Sequence, residues 1–127
     1  MALAIVICFA SCKKDEGNLP HISFMTGSGY TSADASVDTS TTIKFGLACS
    51  KAEDKDVLRT FDGSRVYDGG SSVSIENATL TGKQGDTYNA YITVKTRAVA
   101  GTEKYTFTVV NRDGLKNQVS LTLTVHL

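Results

Sequence analysis

Residues 119–127, Val119-Ser120-Leu121-Thr122-Leu123-Thr124-Val125-His126-Leu127, decide how the rest of the chain is read. Val119, Leu121, Leu123, Val125 and Leu127 fall on one parity, and Ser120, Thr122, Thr124 and His126 on the other. Successive side chains of a strand point to opposite faces, so this is a strand with one face in a core and one in water. Working back, Asn111-Arg112-Asp113-Gly114 is a hairpin turn. Before it, Tyr105, Phe107 and Val109 share one face of a sixth strand, and Tyr88, Ala90, Ile92 and Val94 one face of a fifth.

The same period continues toward the N-terminus. Gly82-Lys83-Gln84-Gly85-Asp86 and Asp68-Gly69-Gly70 are turns flanking a fourth strand from Ser72 to Leu80. A third strand covers Val57 to Phe61 and extends past Gly63 toward Tyr67. In the second, Thr41 to Cys49, the residues Ile43, Phe45, Leu47 and Cys49 share a face. His21 to Met25 is a short first strand, joined to the second by a Gly/Ser/Thr/Asp-rich connection from Thr26 to Ser40. Only Lys51 to Arg59 could hold a helical turn, and no internal repeat is visible. A chain of 127 residues suits one domain. A formal net charge of zero offers no basic face for nucleic acid.

The first twenty residues, MALAIVICFASCKKDEGNLP, are of another kind. The apolar run from Ala2 to Ala10 is shorter than the roughly 20 residues a bilayer span needs, and matches the apolar part of a secretory signal, about 7–15 residues. No Lys or Arg precedes it. Phe9-Ala10-Ser11-Cys12 resembles the lipobox of bacterial lipoproteins, with small residues before the cysteine; Cys8 fits less well because Ile7 is bulky. The resemblance implies that Cys12 carries a diacylglycerol and becomes the first mature residue. Lys13-Lys14-Asp15-Glu16 resembles the charged export signal of surface lipoproteins of the Bacteroidota. It implies a lipid anchor in the outer membrane with the domain facing the cell exterior. The chain then divides into a signal at 1–11, a lipidated cysteine and tether at 12–20, and a domain at 21–127. With Cys8 removed and Cys12 lipidated, Cys49 has no disulfide partner and belongs in the core.

Seven short strands in a domain of this size suggest an all-β, antiparallel, immunoglobulin-like sandwich. Glu103-Lys104-Tyr105-Thr106-Phe107 resembles the tyrosine corner of such domains, with Phe107 where the family has a cysteine. Cys49 lies near the position of that cysteine's partner, which implies that it packs near Phe107. The family's core tryptophan is absent. The stretch from Tyr105 to Val125 is similar to the ending of bacterial Ig-like and PKD-like surface domains, and the mature chain resembles small Bacteroidota lipoproteins that carry one such domain. The resemblance brings no activity with it.

Chemistry is sparse. His21 and His126 lie beside no nucleophile motif and read as exposed strand residues. The remaining cysteine and two distant histidines lack zinc-ligand spacing. Gly27-Ser28-Gly29 is followed by no helix pattern and reads as a loop. Glu53, Asp54, Asp56, Asp86 and Asp113 are loop carboxylates that strand parity brings to one end of a sandwich, but Lys51, Lys55, Lys83 and Arg112 interleave with them. They are the candidate calcium ligands of the sequence, but no EF-hand or cadherin-type motif accompanies them, and a solvated mixed-charge end, without metal or cofactor, is the expectation there. The tether joins that same end, so the opposite end faces outward, with Tyr30 and Tyr67 as candidate ligand contacts. The functional expectation is a non-catalytic, monomeric binding or display module, or an accessory in an envelope assembly, with a glycan or protein ligand. The alternative is a structural subunit of a fimbria-like assembly.

Overall fold

The structure is a computed structural model and describes residues 18–127. The expected signal at 1–11, the lipidation site Cys12 and the export signal Lys13, Lys14, Asp15 and Glu16 lie outside the described residues. The elements are β1 (His21–Phe24), β2 (Ala35–Asp38), β3 (Thr42–Ser50), β4 (Leu58–Tyr67), β5 (Ser72–Thr79), β6 (Thr87–Lys95), β7 (Gly101–Asn111) and β8 (Lys116–His126), with a 3-10 turn at Gly82–Gly85. They form a three-stranded sheet, β1-β3-β6, and a five-stranded sheet, β2-β8-β7-β4-β5. The described chain is therefore all-β and sandwich-like. The helical turn considered at Lys51–Arg59 does not form, and no helix of the described residues is long and apolar enough to cross a membrane.

Two expectations are corrected. Among the described residues there are eight strands rather than seven, because Ala35–Asp38, expected within the first connection, is the strand β2. The sandwich is also not wholly antiparallel: β2 runs parallel to β8, pairing Ala35 with Leu123 and Asp38 with His126. Leaving β1 at the edge of the small sheet, the chain crosses to the free edge of β8 and still travels in the direction of β8. The Asp34 carboxylate accepts the Thr122 N–H at 2.8 Å and starts the pairing, while Ala35 and Val37 pack half-buried against the core. Such a crossover needs a long connection, which residues 25–34 supply.

The core lies between the sheets. Phe45 from the small sheet packs on Tyr105 and Phe107 from the large one, with ring centroids 5.0 and 5.5 Å apart. Phe61 stacks nearly parallel to Phe107 at 6.1 Å. All four rings are fully buried, and each such side chain contributes roughly 1.5–3 kcal/mol on burial. Gly63 lies under this cluster: a Cβ there would come within 2.9 Å of the Phe107 ring. That close approach is why β4 carries a glycine mid-strand and passes through it without ending, and why its pairing with β5 shifts register between Gly63 and Ser64.

Cys49 is buried and unpaired, in register with Tyr88, whose ring lies 5.5 Å from Phe61. Burial pushes its thiol up to about 12. Leu127, expected on the core face, is exposed, one residue past the end of β8 at His126.

Candidate functional site

The two ends of the sandwich differ. At the entry end, where the described chain begins, the Asn18 side chain donates to Glu53 at 2.8 Å and the Pro20 carbonyl accepts from Asn117 at 3.0 Å. The β3–β4, β5–β6 and β7–β8 connections meet there: the Lys51 N–H donates to the Asp86 carbonyl at 3.0 Å, and that of Arg112 to Val57 at 2.8 Å. The loop carboxylates do gather, but they sort into two sets. Lys51 Nζ lies 2.7 Å from Asp86 and 3.8 Å from Asp54, so these acids share one ammonium. Asp56 stands apart. It is 1 % exposed, and neither carboxylate oxygen has a hydrogen-bond partner. The neighbouring Asp113 carboxyl, within hydrogen-bond reach, and burial together hold the Asp56 carboxyl above its usual range.

At the far end the buried carboxylate is fully answered. Glu103, 0 % exposed, accepts the Tyr105 hydroxyl at 2.7 Å, the Arg97 backbone N–H at 2.9 Å and Arg97 Nε at 3.2 Å. Arg97 continues to Asp68 at 3.0 Å, and Asp68 accepts the Thr102 N–H at 2.8 Å. The Arg97 hydrogen bond holds the Asp68 carboxyl below its usual range. Burial and the Glu103 carboxylate push the Tyr105 phenol far above its own. Tyr105 occupies the tyrosine-corner position, but its hydroxyl donates to a side chain two residues upstream and not to backbone. Gly101 belongs to the same assembly: its φ of 152° and the Asp68 carboxylate packed against it leave no place for a Cβ.

The two expected ligand contacts, Tyr30 and Tyr67, have different immediate neighbours. The ring of Tyr67 lies under two guanidiniums, with Arg97 Cζ 4.0 Å and Arg65 Cζ 4.3 Å from its centroid, so it is part of the far-end packing. Tyr30 lies beside Tyr91 of β6, with ring centroids 6.4 Å apart. Tyr91 is 64 % exposed and borders a groove of about 380 Å3 between the free edges of β5 and β6. Arg65, Ile75, Glu76, Thr93 and Lys95 also line it. Arg65 and Lys95 form no salt bridge among the described residues, and Arg65 Nε is buried without a partner. Because β4 and β6 both run from the entry end to the far end, Arg65 and Lys95 place the groove in the far half. Tyr91 was legible in the sequence as an aromatic residue on the water-facing parity of its strand; Arg65 was not, since only the fold brings β4 and β6 to one groove.

His21 and His126 are exposed, as expected, and His126 Nδ1 lies 3.4 Å from Asp38. Among the described residues, no three or more His, Cys, Asp or Glu side chains gather at one point.

No protein-family model matches the chain, and no curated protein matches it. Among solved structures it is similar to a superoxide reductase (neelaredoxin) from Ignicoccus hospitalis, at 10% identity and a TM-score of 0.57, covering 86% of this chain and 81% of that one. A second structure of that protein gives 11% identity, a TM-score of 0.54 and coverage of 90% and 85%. A DUF4466 family protein from Parabacteroides merdae aligns at 12% identity and a TM-score of 0.48, covering 82% of this chain and 43% of that one. At these identities the first two show a shared all-β fold and nothing of chemistry.

Proposed function

We propose that the chain is an outer-membrane lipoprotein, displayed on the cell exterior, whose single immunoglobulin-like sandwich is a non-catalytic binding module for a glycan or protein. The lipobox-like Phe9-Ala10-Ser11-Cys12 and the charged run after it support the anchor. The strand order supports the Ig-like reading: β1, β3 and β6 take the places of A, B and E, and β4, β7 and β8 those of C, F and G, with β5 beside C and not beside E. The observation that carries the binding role is the groove beside exposed Tyr91, in the half of the domain farther from residue 18. An aromatic face next to Arg65 and Lys95, neither of which is held in a salt bridge, suits stacking and hydrogen bonding to a ligand.

The test has two parts. Mass spectrometry of the mature protein is expected to find a lipid-modified Cys12 as the first residue; an intact Met1 refutes the anchor. A glycan array and whole-cell binding assay are then run with wild type and Tyr91→Ala. The substitution is expected to reduce any detected binding at least tenfold, and unchanged binding removes the groove from the reading.

One observation favours the structural-subunit reading. β6 is a nine-residue edge strand with a single charge, Lys95 at its end, and no proline or bulge. Such an edge can accept a strand from another chain. Size exclusion of the delipidated domain separates the two, a polymer ladder favouring the subunit and a monomer the binding module.

A further inference from the structure

Among the described residues, Asp56, Arg65 and Asn111 carry buried side-chain polar atoms without a partner, and of these only Asp56 is an acid. It is 1 % exposed, and both of its oxygens lack a hydrogen-bond donor. Buried polar groups are otherwise satisfied in folded proteins, and an ionised carboxylate with no counter-charge is the costliest exception. Lys51 is committed elsewhere, since it holds Asp86 and Asp54, and neither Lys55 nor Arg59 forms a salt bridge with Asp56. What faces Asp56 is a second acid, Asp113, with Glu53 contributing further negative field and Lys55 a smaller positive one. Asp113 is held in place by Asn111, whose Oδ1 accepts the N–H groups of Asp113 and Leu115, each at 3.0 Å. Its side chain is 40% exposed, so the pair opens to solvent on that side. Arg112 Nε lies 4.0 Å from the Asp113 carboxylate, at the edge of an ion pair and on an exposed side chain.

We propose that Asp56 and Asp113 hold a divalent cation of the calcium class at the entry end of the sandwich. A proton shared between the two acids satisfies one oxygen of each and leaves the second oxygen of Asp56 buried and unanswered. A cation bound by both oxygens of Asp56 and by Asp113 satisfies all of them, and water reaching past Asp113 completes the shell. The donors are oxygen only, which selects hard cations over zinc, copper or iron. Two-oxygen binding by one carboxylate and an irregular shell suit calcium better than magnesium, which demands a near-ideal octahedron. With two carboxylates the site is a weak one, in the range of roughly 0.1–1 mM found for extracellular modules.

The experiment is thermal unfolding of the delipidated protein in chelator, in 10 mM calcium chloride and in 10 mM magnesium chloride, with calorimetric titration of calcium alone. Wild type is expected to gain about 5 °C with calcium and clearly less with magnesium. Asp113→Asn, a change at a part-exposed side chain that leaves the backbone bonds of Asn111 intact, is expected to lose the calcium gain while unfolding cooperatively in chelator. Asp56→Asn is expected to behave likewise. No calcium gain in wild type, or an equal gain in both variants, overturns the proposal.

Discussion

The sandwich buries one carboxylate at each end, and the two are treated oppositely. Glu103 at the far end receives three hydrogen bonds, two of them from Arg97, which also ties down Asp68 and covers Tyr67. Asp56 at the entry end receives none and faces another acid. Burial is equal, so what differs is compensation. A buried charge with its partners in place holds an architecture together, whereas one without them stores a demand that something from solution can meet.

Breaking the compensated end gives the largest expected effect. Glu103→Ala leaves the Tyr105 hydroxyl and Arg97 donors without their acceptor and opens a space in the interior, so a loss of about 3 kcal/mol is expected, read from denaturant midpoints. Tyr105→Phe removes one of those bonds and is expected to cost less, about 1–2 kcal/mol. The ends also separate by pH. Asp56 titrates above its unfolded value, so in chelator its contribution is present at low pH and is lost as pH rises through the folded value. Asp68 titrates below its unfolded value, so its contribution is present above the ordinary carboxylate range and is lost as pH falls through the folded value. In chelator, Asp56→Asn is therefore expected to flatten the decline of melting temperature toward neutral pH, and Asp68→Asn to flatten the acid limb. The smallest expected effect lies in the core near the entry end: with its thiol pushed up to about 12 and buried, Cys49 is expected to stay unreactive to a thiol reagent at neutral pH until the protein is unfolded.

The long strands were legible because their alternation runs for five or more residues. Phe45, Phe61, Phe107, Leu121 and Leu123 all fall inside as the pattern requires. β2 was not legible: four residues, Ala-Ser-Val-Asp, carry too short a pattern to stand out from a polar connection, and only the free edge of β8 makes them a strand. The gathering of the acidic loops followed from strand parity, but their partition did not. Lys51 could have served any of the carboxylates around it, and its choice of Asp86 depends on the 3-10 turn at Gly82–Gly85 that delivers Asp86 to it. The role of Arg97 was hidden for a similar reason: nothing local to an exposed-looking arginine says that a carboxylate six residues later is buried beneath it.

The parallel pairing of β2 with β8 has a mechanical consequence. Residue 20 lies at one end of the sandwich and His126 at the other, so tension applied between them draws β2 and β8 in opposite directions along their lengths. The ladder bonds between them run across that direction and take the load together, as rivets do in shear, instead of opening one at a time like a zipper. β1, paired with β3, bears that load first, and once it gives way a four-residue strand too short to be noticed in the sequence is the clasp that remains against β8.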